Sequence, residues 1–286
     1  MPVPDYFMEL LKELQATMHE RRFRPDRRIG QNFTINHDII LKMVDAAEIN
    51  EKDVVLEIGP GTGALTTELL HRCKVVAVEL DHSLHGLLRE KFGSEISSGR
   101  LILIHGDFLT EKLPAFNKVV SLPPYHISSA LMSRLIISGF DIAVLVLQRE
   151  FAQKLLSEPG FKDYGQLSVE ITYGFSTEVI VQTISPQNFF PKPNTFSSMI
   201  KIVRKKPKLK VNDYALFREF LHQIFRLKNK NLSNAIQKTF PFQGKTKAGM
   251  EKIIARAARL DMKGVKVNLI SAKEFAEIFN ELTGKK

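Results

Sequence analysis

Apolar positions along the chain follow two rhythms. Between residues 53 and 203 they gather into short, β-branched runs separated by helical stretches: Asp53–Ile58, Lys74–Glu79, Leu101–His105, Lys118–Ser121, Ile142–Leu147, Glu178–Ile184 and Ser198–Val203. Runs that are apolar throughout, alternating with helices, describe strands buried on both faces of a mainly parallel sheet. The last two runs are joined by a proline-containing connection without a helix, so both are expected as antiparallel additions at the sheet edge. Ahead of the strands, residues 5–20 read as a helix followed by an arginine-rich arm. Beyond them, the basic segment Arg204–Lys210, broken by Pro207, reads as a linker. Phe217, Phe220, Leu221, Ile224 and Phe225 then recur at helical spacing, as do Ala272, Phe275, Ala276 and Phe279, which makes these phenylalanines the core of a small helical domain. The pattern predicts an α/β protein with a seven-stranded sheet and a C-terminal α-helical domain. Its expected divisions are 1–28 (helix and basic arm), 29–203 (sheet domain) and 204–286 (helical domain).

Composition narrows the class. The 286 residues are 44% hydrophobic and 25% charged, with 16 Gly and 13 Pro, which excludes collagen-like, low-complexity and wholly disordered chains. Apolar runs such as Ala143–Leu147 are too short to span a membrane, and no signal-peptide pattern opens the chain, so a soluble, cytoplasmic protein is expected. Cys73 is the single cysteine, which removes an internal disulfide and any multi-cysteine zinc site; no metal is expected. The formal charge of +10 is unevenly placed. Residues 201–286 hold 21 basic and 7 acidic side chains, whereas residues 1–200 hold 20 and 24. With the cluster Arg21, Arg22, Arg24, Arg27 and Arg28 near the start, this favours a nucleic-acid partner held through its phosphates.

The candidate chemistry sits at strand ends. Glu57-Ile-Gly59-Pro-Gly61-Thr-Gly63 stands where the first run ends and a helix begins. Its GxGxG spacing is neither the GxGxxG dinucleotide fingerprint nor a P-loop, and the acid ahead of the glycines favours a ligand bearing an amino group. Glu79 ends the next run, where a carboxylate accepts ribose hydroxyl hydrogens, and Asp107 follows the third, where one accepts from an adenine amino group. Three acids at successive strand ends in register with GxGxG resemble the Rossmann-like class I S-adenosylmethionine-dependent methyltransferases. The fourth run ends in Ser121-Leu122-Pro123-Pro124-Tyr125. This resembles the [Asn/Asp/Ser]-Pro-Pro-Tyr signature of methyltransferases that act on base amino groups. An exocyclic amine has its lone pair delocalised into the ring; two acceptors for its hydrogens and an aromatic face for its ring turn that lone pair toward a methyl carbon. Pro123 offers a main-chain carbonyl and Tyr125 a ring, but Leu122 stands where the signature has an acceptor. His126 and Cys73 read as a loop histidine and a buried apolar residue.

Gly30-Gln31-Asn32-Phe33, Gln148–Leu155, Tyr164–Ser168, Phe189-Phe-Pro191-Lys-Pro193 and Lys228-Asn-Lys230-Asn-Leu232 add motifs in the order of the KsgA family of ribosomal RNA adenine N6 dimethyltransferases. The chain resembles an archaeal-like member over about residues 20–240. The resemblance implies S-adenosylmethionine as cofactor, with Gln31, Asn32, Thr34 and Leu122 around it, Gly59 and Gly61 against its methionine part, Glu57 at its amino group, Glu79 at its ribose and Asp107 at its adenine. Leu122, Pro123, Tyr125 and Phe189 would form the catalytic pocket, with Phe189 stacking opposite Tyr125. The arginine arm, with Arg226, Lys228 and Lys230, would hold RNA. The implied reaction is dimethylation of adjacent adenines in small-subunit ribosomal RNA, within a pre-ribosomal particle and by a monomer. Leu122 supports the alternative of an inactive RNA-binding assembly factor on the same fold. Phe196, where many members carry an acid, is given no role.

Overall fold

A computed structural model of the protein describes residues 5–26, 30–239 and 264–283. Its strands are β1 (Phe33–Thr34), β2 (Val54–Ile58), β3 (Lys74–Glu79), β4 (Leu101–His105), β5 (Lys118–Ser121), β6 (Ile142–Gln148), β7 (Phe175–Ile184), β8 (Phe189–Phe190) and β9 (Ser197–Arg204). Its helices are α1 (Asp5–Glu20), α2 (His37–Ala46), α3 (Ala64–Leu70), α4 (His82–Lys91), α5 (Gly93–Ser97), α6 (Ser128–Ser138), α7 (Arg149–Leu155), α8 (Gln166–Gly174), α9 (Tyr214–Phe225), α10 (Leu232–Thr239) and α11 (Ala272–Thr283). None of the described helices is long and apolar enough to cross a membrane.

The seven predicted runs pair into one sheet in the order β4-β3-β2-β5-β6-β9-β7. Strands β2 to β6 run parallel to their neighbours, and β9 runs antiparallel to β6. The expectation that both late strands are edge additions is corrected. β9 lies inside the sheet and only β7 takes the edge. Burial explains the choice: Met199, Ile200 and Ile202 are fully buried, as an interior strand requires, whereas most of β7 is exposed or half-buried. The ribbon of β1 and β8 was not anticipated, because two residues are too short for any periodicity.

Below the strands' N-terminal ends, the buried Lys118 ammonium pairs with Asp53 at 2.9 Å. Asp53 also accepts from Asn117 (2.7 Å) and from the Asn50 backbone and side chain (2.8 and 2.7 Å). Burial alone would raise the Asp53 pKa; the hydrogen bonds from Asn117 and Asn50 and the Lys118 charge outweigh it and hold the carboxyl below its ordinary value.

The chain divides into two compact units, one of Met1–Ala152 with Thr177–Arg204, the other of Gln153–Ser176 with Lys205–Lys286. The expected boundaries are therefore redrawn. Residues 153–176 leave the sheet domain, because α8 contributes Val169 and Tyr173 to the core that holds Phe217, Phe220, Phe275 and Phe279. The described residues 5–26 do not stand apart either; they fall in the first unit. Of the phenylalanines whose spacing predicts a core, Phe217, Phe220, Phe275 and Phe279 are at most 2% exposed and Phe225 packs partly buried against them.

Candidate active site

The sheet order reverses between β2 and β5, and a crevice opens at the C-terminal ends of strands at such a switch point. The backbone ladder joining the two strands pairs Val55 with Lys118 and Leu56 with Val119. Beyond it a side chain takes over. Ser121 Oγ donates to the Ile58 carbonyl at 2.7 Å and accepts from the Ile58 N–H at 3.3 Å. The strands part there without leaving the Ile58 groups unpaired in the core. Ser121 is fully buried and committed to this bridge, so it is not a substitute for the acceptor that Leu122 lacks.

The glycine loop lines the crevice. Gly61 has φ +62°, and a Cβ there would come within 2.8 Å of the Phe33 ring. Gly63, at φ +84°, caps the start of α3. Only glycine takes such angles at little cost, and only its bare Cα leaves the space under Phe33 open. Phe33 itself is held by β1, whose register sets Phe33 opposite Phe190 and Thr34 opposite Phe189. Asn36 strengthens the ribbon, capping α2 through the Asp38 N–H (2.9 Å) and donating to Asn188 Oδ1 (2.7 Å).

A cleft of about 920 Å³, partly open to solvent, is bordered by Gln31, Asn32, Gly59, Gly61, Glu79 and Asp107. Leu122, Pro123, Tyr125 and Phe189 border it too. An adjoining recess of about 370 Å³ is lined by Thr34, Glu57 and again Asn32, Gly61 and Leu122. Every residue predicted for cofactor or catalysis thus lines this cleft or the neighbouring recess, which share Asn32, Gly59, Gly61 and Leu122. Of the predicted RNA-binding side chains, Arg21, Arg22 and Arg24 line neither pocket. They are exposed, with Arg21 paired to Glu90; Arg226, Lys228 and Lys230 belong to the other unit; Arg27 and Arg28 lie outside the described residues.

The carboxylates differ in environment. Glu57, 2% exposed, accepts from Thr66 Oγ1 at 2.7 Å. Burial pushes its pKa up to about 8, against the Thr66 hydrogen bond and with the help of Glu79. Glu79 accepts from the Gly61 N–H (3.0 Å) through one oxygen and the Asp81 N–H (2.9 Å) through the other. Burial raises its pKa to about 7 despite these bonds. With the Leu80 backbone as a further donor, three of the carboxylate's roughly four acceptor sites are taken and one is left for a ligand hydroxyl. Asp107 is half-buried and fixed by the Leu109 N–H on one oxygen (2.8 Å). Gln31 joins the opposite wall, reaching Asp81 at 3.4 Å.

At the reacting end, Tyr125 begins a short 3-10 turn, its hydroxyl hydrogen-bonded to Ser197 Oγ and its carbonyl accepting from Ser128 Oγ at 2.7 Å. Burial raises its pKa, so the ring stays a neutral phenol. Among the described residues nothing donates to the Pro123 carbonyl. Phe189 is 2% exposed and packs into the core as well as bordering the cleft, so it offers a base far less free face than Tyr125. Sequence reasoning missed Ser197, Phe33 as a wall and Asp81 as a link. Asp81 was findable, because it caps α4 through the Ser83 and Leu84 N–H groups. Ser197 was not, since no local pattern couples it to a tyrosine 72 positions away.

The ribosomal RNA adenine dimethylase family model matches residues 22–283. A probable ribosomal RNA small subunit methyltransferase A from Pyrococcus abyssi is 37% identical over 217 residues, 76% of this chain and 77% of that one. Its namesake from Thermococcus sibiricus is 34% identical over 256 residues, 89% and 91% of the two chains. Among solved structures, a dimethyladenosine transferase from Plasmodium falciparum shares the fold with a TM-score of 0.72 at 24% identity, covering 87% of this chain and 97% of its own. The 23S rRNA methyltransferase ErmE aligns at 0.64 and 25% identity over 88% and 99%. A family match over nearly the whole length, on a crevice built of the residues that the motifs single out, leaves one conclusion: the chain belongs to the ribosomal RNA adenine dimethylase family.

Proposed function

We propose that the protein transfers methyl groups from S-adenosylmethionine to N6 of two adjacent adenines in small-subunit ribosomal RNA, as a cytoplasmic monomer acting on a pre-ribosomal particle. The observation that carries this reading is the cleft and its neighbouring recess, which share Asn32, Gly59, Gly61 and Leu122 and set the glycine loop and its three carboxylates beside Pro123 and Tyr125. The residues fit the cofactor: a Cβ on Gly61 would close the space under Phe33, and Glu57 and Glu79 are acids kept at the crevice despite burial. When bound, S-adenosylmethionine supplies an electrophilic methyl group on a cationic sulfonium. Glu57 meets its amino group, Glu79 a ribose hydroxyl and Asp107 the adenine amine. Tyr125 stacks on the target base, Phe189 closes the pocket from the core side, and the Pro123 carbonyl takes one N6 hydrogen. Basic side chains of the second unit, Arg226, Lys228 and Lys230, and the arginine arm supply phosphate contacts.

Relatives at 34–38% identity carry the small-subunit name, whereas ErmE, named for 23S rRNA, stands at 25%; this supports the small subunit as substrate. The inactive assembly-factor alternative rests on Leu122 alone and is not favoured. Incubation with radioactive methyl donor and undermethylated small subunits tests the reading. Label in the small-subunit RNA is expected. Label only in protein, in large-subunit RNA or nowhere refutes it.

A further inference from the structure

A vestibule, partly open to solvent, neighbours the cleft and shares Gln31, Asn32 and Tyr125 with it; Gln148, Lys192 and Thr195 also border it. On the reading above, a strand of RNA that hands one adenine to Tyr125 passes here, and the next nucleotide leaves the vestibule one step beyond its border. Arg149 and Phe196 stand at that step. Gln148 ends β6 opposite Ser197, the first residue of β9, so Arg149 follows one border residue and Phe196 follows another, Thr195. The Arg149 N–H donates to the Phe196 carbonyl at 2.9 Å, which ties the two strand ends together. The Arg149 guanidinium lies over the Phe196 ring, 5.0 Å from its centroid. Despite this cover the phenylalanine is 41% exposed and the arginine side chain 34%. Phe196 is followed in turn by buried Ser197, whose hydroxyl bonds to Tyr125. The pair is therefore joined through the backbone to the vestibule and to the residue that holds the stacking tyrosine, yet stays open to solvent.

Charge decides what suits this corner. Glu150 accepts from Thr195 Oγ1 at 2.8 Å and lies 3.7 Å from Arg149, so the arginine's charge is already matched and a phosphate would meet a carboxylate. A base carries no net charge, and its π-face stacks on a phenyl ring and on a guanidinium plane alike. We infer that Arg149 and Phe196 form a stacking platform for the base next to the target adenine, holding it outside the crevice while its neighbour is methylated. The inference rests on the adenine reading above and adds to it a second binding site for the same RNA strand. Because every base has a π-face, the platform holds the strand without reading its sequence.

Steady-state kinetics on undermethylated small subunits, joined to a cross-linking experiment, test this. Phe196→Ala is expected to raise KM on the order of tenfold through loss of one stacked base, with kcat and the calorimetric Kd for S-adenosylmethionine changed less than about twofold. Phe196→Trp keeps an aromatic face and is expected to hold KM within about threefold of the unaltered protein. A fall in kcat with KM unchanged, or an equal loss in the two variants, would make Phe196 a packing residue and overturn the inference. p-Benzoylphenylalanine placed at position 196 and irradiated with the bound subunit is expected to cross-link to the nucleotide directly beside the methylated adenine. Cross-links to ribosomal protein alone would make the patch a protein contact, and cross-links to distant RNA would move the neighbouring base elsewhere; either overturns the inference. Unchanged kinetics in Phe196→Ala sink the inference alone, whereas an unaltered protein that methylates no small-subunit adenine sinks the adenine reading and the inference with it.

Discussion

Cofactor binding should expel protons from the protein. Burial leaves Glu57 with a pKa of about 8 and Glu79 with about 7. At pH 7 the empty crevice therefore holds Glu57 roughly nine-tenths protonated and Glu79 about half. A cationic amino group beside Glu57, and a ribose hydroxyl donating to Glu79, both favour the ionised carboxylate, so binding releases about 0.9 proton from the first and up to about 0.5 from the second. Ionising Glu57 at pH 7 costs about 1.4 kcal/mol, so affinity should improve several-fold from pH 7 to about 8 and gain no further above that, where an α-amino group of ordinary pKa about 7.7–8.0 loses its charge. The sign for the cofactor-free protein is opposite. Unfolded carboxyls ionise near their ordinary pKa of 4.5 while folded Glu57 and Glu79 keep their protons, so stability falls as pH rises from about 4.5 through 7 and 8. Titration calorimetry at pH 7 in phosphate and in Tris, which differ in ionisation enthalpy, reads the proton count from the difference in heat. Glu57→Gln should reduce the release to the Glu79 share. Heats identical in the two buffers, with a Kd flat from pH 6 to 8.5, would refute the claim that Glu57 meets a cation.

Other outcomes follow from single contacts. Gly61→Ala forces a side chain into left-handed backbone and against Phe33, so it should cost about 1–3 kcal/mol in thermal unfolding and weaken cofactor binding further. Asp53→Ala strands the buried Lys118 ammonium and should destabilise by about 3–5 kcal/mol, measured by denaturant unfolding, with cofactor affinity nearly unchanged if enough folded protein remains. Tyr125→Phe keeps the stacking ring and loses only the Ser197 bond, so kcat should fall a few-fold. Tyr125→Ala loses about 1–3 kcal/mol of stacking and should fall much further; equal losses in the two would show that the hydroxyl, not the ring, matters.

The sheet was legible because its strands are buried on both faces, so Val54–Leu56 and Val75–Val78 declare themselves as unbroken apolar runs. The crevice was legible for a different reason. Its chemistry sits at strand ends, where Glu57, Asp107 and Tyr125 are marked by neighbouring glycines and prolines, and Glu79 by the helix-capping Asp81 two residues on. What did not show was anything set by pairing between distant segments. The insertion of β9 between β6 and β7 depends on which late strand is the more apolar, a comparison that adjacency in sequence obscures. The transfer of residues 153–176 to the helical unit depends on Val169 and Tyr173 meeting phenylalanines from beyond the linker. Likewise the orientation of the Asn32 amide is fixed by its bond to the Gly30 carbonyl, which no sequence pattern shows.

The central claim is that this crevice presents an adenine N6 to a sulfonium methyl group. Mass spectrometry of nucleosides from undermethylated small-subunit RNA, incubated with the purified protein and S-adenosylmethionine carrying a deuterated methyl group, tests it most directly. N6,N6-dimethyladenosine with two labelled methyl groups, at two neighbouring positions, is the predicted result. Unmodified adenine, recovered from reactions in which calorimetry shows the cofactor bound, would contradict it.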